Sequence, residues 1–329
     1  MKAILFVGHG SRDPEGNDQV RQFIDNMRAN WDESFLVETC FLEFERPTVN
    51  QGIDLCVEKG TNHVYVIPIM LLQAGHSKIH IPAVIDEAKE KYPQVRFTYG
   101  RPIGVHEETF EILKTRLAEI GEDLDHPPSD TAILLLGRGG SDPDANSDLY
   151  KISRLLWEKT KYKLVEPAFM GVTNPLVDEG IERCIKLGAV KVIILPYFLF
   201  TGILIKRLEN MMAEFAEQYP QIEFQLAGYF GYHPKLQTIL KDRVEEAVGD
   251  EVKMNCDTCQ FRLLAMEHVH HHHHHDHDHE HDHDHHHEHE HEHEHEHEHE
   301  HEHEHEHHHH DHGQETILVH EGQKAGNLK

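Results

Sequence analysis

Three short motifs in the first hundred residues carry side chains that serve metal and proton chemistry. Val7-Gly8-His9-Gly10-Ser11 offers an imidazole, Phe41-Leu42-Glu43-Phe44-Glu45-Arg46-Pro47 a carboxylate, and Gln73-Ala74-Gly75-His76-Ser77-Lys78-Ile79-His80 two further imidazoles. Neutral imidazole is the usual ligand for borderline divalent metals and also accepts a proton near neutral pH. A glutamate beside it adds a ligand or a base. One loop histidine alone is more often a surface or capping residue, so these side chains need a reason to be read together. Further on, Met254-Asn255-Cys256-Asp257-Thr258-Cys259 supplies two soft ligands, half of a tetrahedral site. Residues 268–312 are almost entirely His, Asp and Glu.

The elements that would position the first group alternate along the chain. Lys2–Val7, Phe35–Phe41, His63–Ile69 and Val95–Tyr99 are short apolar runs rich in β-branched and aromatic residues. Amphipathic stretches lie between them, near Asp18–Asn30, Thr48–Glu58, Lys78–Lys91 and Glu107–Ile120. Such βαβα alternation, with strands that read as continuous apolar runs, predicts parallel sheets covered by helices on both faces. Ligands in such folds sit beyond the carboxyl ends of the strands. His9, Glu43 and His76 each follow a strand.

The chain is also duplicated. Residues 3–17, AILFVGHGSRDPEGN, and 132–146, AILLLGRGGSDPDAN, are identical at 8 of 15 positions. Pro47, Gly52, Cys56, Gly60 and Pro68 recur as Pro175, Gly180, Cys184, Gly188 and Pro196, and His106 recurs as His233. Each half is then a control for the other. Matched positions such as His106 and His233 serve the fold, whereas positions that only function needs are free to differ. His9 corresponds to Arg138, Glu43 to Gly171, His76 to Ile203 and His80 to Arg207. One half therefore gathers imidazoles and a carboxylate at one sheet edge, and its twin lacks them. Domains are expected at 1–125 and 126–250, followed by a CxxC segment at 251–267 and the His-rich tail at 268–329.

Composition narrows the function classes. The 329 residues carry a formal charge of −28, with 31 Lys and Arg against 59 Asp and Glu. Segment 268–312 holds 28 of the 36 histidines and 16 of the acidic residues, leaving about −12 for the rest. No basic stripe exists to neutralise phosphates, so nucleic acid is not the expected partner. No apolar run approaches the ~20 residues that span a bilayer. The opening apolar stretch stops at Gly8 without a cleavage-site pattern, so it reads as a strand of a cytoplasmic protein. Five widely spread cysteines make no disulfide framework. Neither a GxSxG elbow, a GxxxxGK[ST] loop nor a GxGxxG turn occurs, so triad hydrolysis, nucleotide and dinucleotide chemistry lack support.

The motifs VGHGSRDP, FLEFERPTV and IPIMLLQAGHSKIHIP, in that order, resemble the type II tetrapyrrole chelatases of the sirohydrochlorin cobaltochelatase and ferrochelatase group. The likeness extends over about the first 250 residues. It implies two similar α/β domains with a cleft between them, and insertion of a divalent metal into sirohydrochlorin without ATP. His9 and His76 match the family's two active-site histidines, with Glu43 beside them as ligand or base. Metal insertion must strip water from a cation and remove two pyrrole N–H protons, which these side chains can share. Sirohydrochlorin is a polycarboxylate, so local cations should oppose the global charge. Arg12, Arg46, Lys78 and Arg138 are the candidates.

The cysteine pair resembles the MxCxxC of long-form cobaltochelatases, which carry an iron–sulfur centre in that region. The resemblance implies Co²⁺ as substrate metal, a 4Fe-4S cluster at Cys256 and Cys259, and a place in the anaerobic branch of cobalamin synthesis. Two cysteines under-ligate a cluster, so the rest must come from a second subunit in a homodimer or from Cys40, Cys56 or Cys184. Of these, Cys56 and Cys184 match each other between halves and read as core residues. The tail cannot bury a core and should be disordered, suited to gathering Co²⁺ or Ni²⁺ by imidazole and carboxylate capture. The alternatives are a sirohydrochlorin ferrochelatase and, from another class, a metal store or metallochaperone.

Overall fold

The computed structural model describes residues 1–28 and 31–250. Cys256, Cys259 and the His-rich tail lie outside the described residues. In the first half, β1 (Lys2–Gly8), α1 (Pro14–Met27), β2 (Phe35–Phe41), α2 (Val49–Glu58) and β3 (His63–Ile69) are followed by a π-turn, His76–His80. It runs straight into α3 (Ile81–Lys91), and β4 (Arg96–Tyr99) and α4 (Glu107–Glu119) complete the half. The second half repeats the plan with β5 (Thr131–Gly137), α5 (Pro143–Lys159), β6 (Leu164–Phe169), α6 (Val177–Lys186), β7 (Lys191–Pro196), α7 (Ile203–Gln218), β8 (Glu223–Leu226) and α8 (Pro234–Gly249). Each half forms one parallel sheet, in the order β2-β1-β3-β4 and β6-β5-β7-β8.

The continuous apolar reading of the strands has its cause in burial on both faces. On β1, Ala3, Leu5 and Val7 pack with Ile53 and Cys56 of α2 and Ile81 and Ile85 of α3. Ile4 and Phe6 point the other way, as the two-residue period of a strand requires. In the second half Leu134 and Leu136 meet Ile181, Cys184, Leu208 and Phe215 in the same manner. The remaining faces of both sheets share a single core: Ile4, Phe6, Tyr65 and Ile67 join Ile133, Leu135, Ile193 and Leu195.

That shared core comes from an exchange. α8 packs on β3 of the first sheet, α4 packs on β7 of the second, and α4 and α8 pack on each other. Arg243 of α8, 2% exposed, donates to the carbonyl oxygens of Pro102 and Ile103 and pairs with Glu246. A boundary at 125 thus separates each sheet from a helix that covers it.

Two helix starts differ from the sequence expectation. α1 begins at Pro14, not at Asp18, because Asp13 caps it by accepting from the Glu15 N–H and Pro14 fits the first turn. The apolar periodicity starts a turn later than the helix. The stretch expected as one helix from Lys78 opens instead as the π-turn and becomes α-helical only at Ile81.

Candidate metal site at the carboxyl edge of the first sheet

β1 and β3 lie side by side, so the segments after their carboxyl ends emerge together, with β2 on the other flank of β1. Gly10 makes the approach of the β2 loop possible. Its φ is +88°, and a Cβ there would fall 1.7 Å from the Glu43 carbonyl oxygen. Only glycine admits that contact. The Glu43 N–H then donates to the His9 carbonyl oxygen at 3.1 Å, and the two side chains face each other.

His9 Nδ1 lies 2.9 Å from the Gly10 carbonyl oxygen, a contact in which it must donate. Nε2 is left with its lone pair and stands 3.3 Å from Glu43 Oε1. The His76 ring meets the His9 ring edge to face, 4.8 Å between centres at 85°. Ligand atoms of His9, Glu43 and His76 all lie within 4.8 Å of one another, and each residue is half-buried. Burial, and next the His9 imidazole, hold the His76 pKa below its ordinary value, against the pull of Glu43. A neutral imidazole is the form a metal needs. Two nitrogens and a carboxylate in an open cluster suit a divalent cation of the cobalt, nickel or iron kind, with positions left for exchange.

The other expected residues separate. Arg138, from the second half, reaches the cluster with Nη1 3.2 Å from His9 Nε2. His80 lies at its margin, its Nδ1 3.0 Å from His76 Nδ1. Lys78 is engaged elsewhere: its Nζ lies 2.8 Å from Asp142 and 2.8 Å from Asp144, and both carboxylates raise its pKa. Arg12 stands over the Phe44 ring, 4.8 Å from its centre. Arg46 lines a surface hollow with Gln51, Asp54 and Glu58 of α2. Cys40, Cys56 and Cys184 are all fully buried in the two outer cores. Burial pushes the Cys56 and Cys184 thiols up to about 12, and Cys40 is raised as well. None of the three is placed to ligate a cluster.

The sequence reading missed a second set of residues. Lys206 lies 2.6 Å from Asp13 and 2.9 Å from Glu15, which mirrors Lys78 on Asp142 and Asp144. Each lysine ties the element after the third strand of one half to the first helix of the other. The signal available was the repeated Asp-Pro pair, Asp13-Pro14 and Asp142-Pro143, which caps both helices.

A sequence model of the CbiX family matches the chain twice, over residues 3–120 and 132–247, once in each half. A sirohydrochlorin cobaltochelatase of Priestia megaterium is 74% identical over 269 residues, 82% of this chain and 87% of that protein. A sirohydrochlorin ferrochelatase of the same organism is 39% identical over 76% of this chain and 92% of its own length. Among solved structures, SirB from Bacillus subtilis with Fe³⁺ superposes with a TM-score of 0.67 at 34% identity, covering 76% of this chain and 96% of that one. The duplicated parallel sheets, the cluster at their edge and these matches converge on one assignment: the chain belongs to the CbiX family.

Proposed function

We propose that this chain is a sirohydrochlorin cobaltochelatase, a lyase-class enzyme of cobalamin biosynthesis that exchanges two pyrrole protons for Co²⁺. The observation that carries the reading is the 74% identity to a sirohydrochlorin cobaltochelatase across most of both chains. The site supplies a mechanism. His9 Nε2, Glu43 and His76 hold the incoming cation on one side of the macrocycle. As the pyrrole nitrogens bond cobalt, their N–H protons pass to these same side chains and on to solvent. Charge balances, since one dication replaces two protons. Arg138 reaches the cluster at His9 Nε2, and Arg12 stands beside Phe44, next to Glu43. Both are suited to substrate carboxylates, whereas Lys78 is spent on Asp142 and Asp144.

Finer features belong to the same proposal. Cys256 and Cys259 are assigned two ligands of a 4Fe-4S cluster. With Cys40, Cys56 and Cys184 buried in cores, the remaining ligands are assigned to a second copy of the chain, hence a homodimer. The His-rich tail is assigned the capture of scarce cobalt. No helix among the described residues is long and apolar enough to cross a membrane, and a cytoplasmic location is assigned together with the proposed activity.

An absorbance assay with sirohydrochlorin and Co²⁺, Fe²⁺ or Ni²⁺ tests the activity. Insertion should be fastest with Co²⁺ and lost in His9→Ala and His76→Ala. A preference for Fe²⁺ would reassign the metal, and tight metal binding without insertion would favour a store. Deleting 268–312 should leave turnover at saturating Co²⁺ intact and lower it when cobalt is scarce. Loss of turnover at saturating Co²⁺ would remove the tail from its supply role.

A further inference from the structure

His9 and Arg138 are equivalent positions of the two halves, and they touch. A contact between equivalent residues places the pseudo-twofold axis between them. The reciprocal ties of Lys78 and Lys206 obey the same symmetry. The metal cluster therefore sits beside the axis that relates the halves.

Phe44 and Val172 are also equivalent, each three residues beyond the end of its half's second strand. Both hold left-handed backbone, φ 62° and 70°, and the one other non-glycine residue of this kind among the described residues is Asp250 at the end of α8. A bulky side chain, above all a β-branched valine, is strained there. Both side chains are nevertheless apolar and open to solvent, Phe44 at 54% and Val172 at 76% exposure. The neighbouring positions have diverged completely, Glu43 in one half and Gly171 in the other. Chemistry was needed once, but a strained, outward-facing apolar residue is present twice. Ile79 and Ile203, in the elements after β3 and β7, are likewise apolar and exposed, at 63% and 54%.

We propose that Phe44 and Val172 are positioning residues that grip the tetrapyrrole macrocycle from opposite sides of the axis and centre its nitrogens over His9, Glu43 and His76. This rests on the chelatase reading. A macrocycle is a flat apolar disc with an anionic rim and near-symmetric halves, so a grip from both halves of a duplicated chain fits its shape. Arg12, over the Phe44 ring, is placed to meet a rim carboxylate while the ring meets the disc.

The test uses the full chain with Phe44→Gly, Val172→Gly and the double variant. Glycine accepts the left-handed backbone, so Tm should hold or rise. The KM for sirohydrochlorin should rise about tenfold per site, the order expected for partial loss of one buried apolar side chain. The KM for Co²⁺ should stay unchanged, and Phe44→Leu should restore much of the loss. An unchanged sirohydrochlorin KM in the double variant, or an equal rise in both KM values, overturns the proposal. The Kd for sirohydrochlorin, read from its fluorescence without metal, separates this failure from that of the chelatase reading. A wild-type chain that binds the tetrapyrrole but inserts no metal refutes the activity, and the variants' Kd values still decide the grip.

Discussion

Arg138 brings a guanidinium to within 3.2 Å of His9 Nε2, the nitrogen whose lone pair a metal requires. Guanidinium stays protonated throughout the working pH range and has no lone pair to offer. In the proposed mechanism it competes with an incoming dication for the same atom, until a substrate carboxylate draws it away. Arg138→Gln should lower the KM for Co²⁺ about fivefold, equivalent to ~1 kcal/mol for one exposed charge contact. The same variant should raise the KM for sirohydrochlorin, because the carboxylate partner is gone. Steady-state assays varying each substrate in turn measure both; a KM for Co²⁺ that rises would show Arg138 assisting the metal instead. The clustering of His9, Glu43 and His76 was legible in the sequence because the twin half lacks all three. The cations were less so, since what a lysine or arginine does depends on partners supplied by the other half. Lys78 looked free until Asp142 and Asp144 came to meet it.

Strand positions were legible almost to the residue, because an apolar run enclosed on both faces has one reading. The π-turn was not. Backbone pairing matches Leu71 with Leu199 at one offset, through bonds from Gly104 and Gly231, but Tyr92 matches Tyr219 at an offset one residue shorter. The first half has one extra residue in that window, and the π-turn His76–His80 is a form in which a helix absorbs it. His106 and His233, matched between halves, cap the exchanged helices α4 and α8. Their Nδ1 atoms accept from the N–H groups of Glu108 and Lys235. Accepting requires the neutral ring, and burial lowers both pKa values, helped next by Arg243 and Arg116 respectively. Since the unfolded chain takes up these protons first, stability is full above about pH 6.5 and declines as pH falls below it. Replacing both caps by asparagine, which accepts without titrating, should shrink the drop in Tm between pH 7.5 and 5.5. An undiminished drop would assign the pH sensitivity to other histidines, His63 and His76 first.

At the scale of the whole molecule, the repeat announced two homologous halves but not which sheet each last helix would cover. The apolar stripe of α8 reads the same whether it lies on its own sheet or on its neighbour's. Only the assembled core decides, and there Leu236, Ile239, Leu240 and Val244 are buried with Ile4, Phe6, Tyr65 and Ile67 of the first half. Burying four such side chains contributes about 1.5–3 kcal/mol each, roughly 6–12 kcal/mol together. That is as large as the whole stability of a typical domain, ~5–15 kcal/mol. A fragment of residues 1–125 loses this cover, and 126–250 likewise loses α4 from β7. Neither fragment should fold alone, although each contains a complete sheet. Expressed together, they should recover one another as a one-to-one complex that keeps the His9–Arg138 contact and inserts cobalt. Size-exclusion chromatography with light scattering reads the stoichiometry, and a denaturant titration of each fragment reads cooperativity. A monomeric 1–125 fragment with its own cooperative transition would mean that the exchanged helices contribute far less than their burial implies.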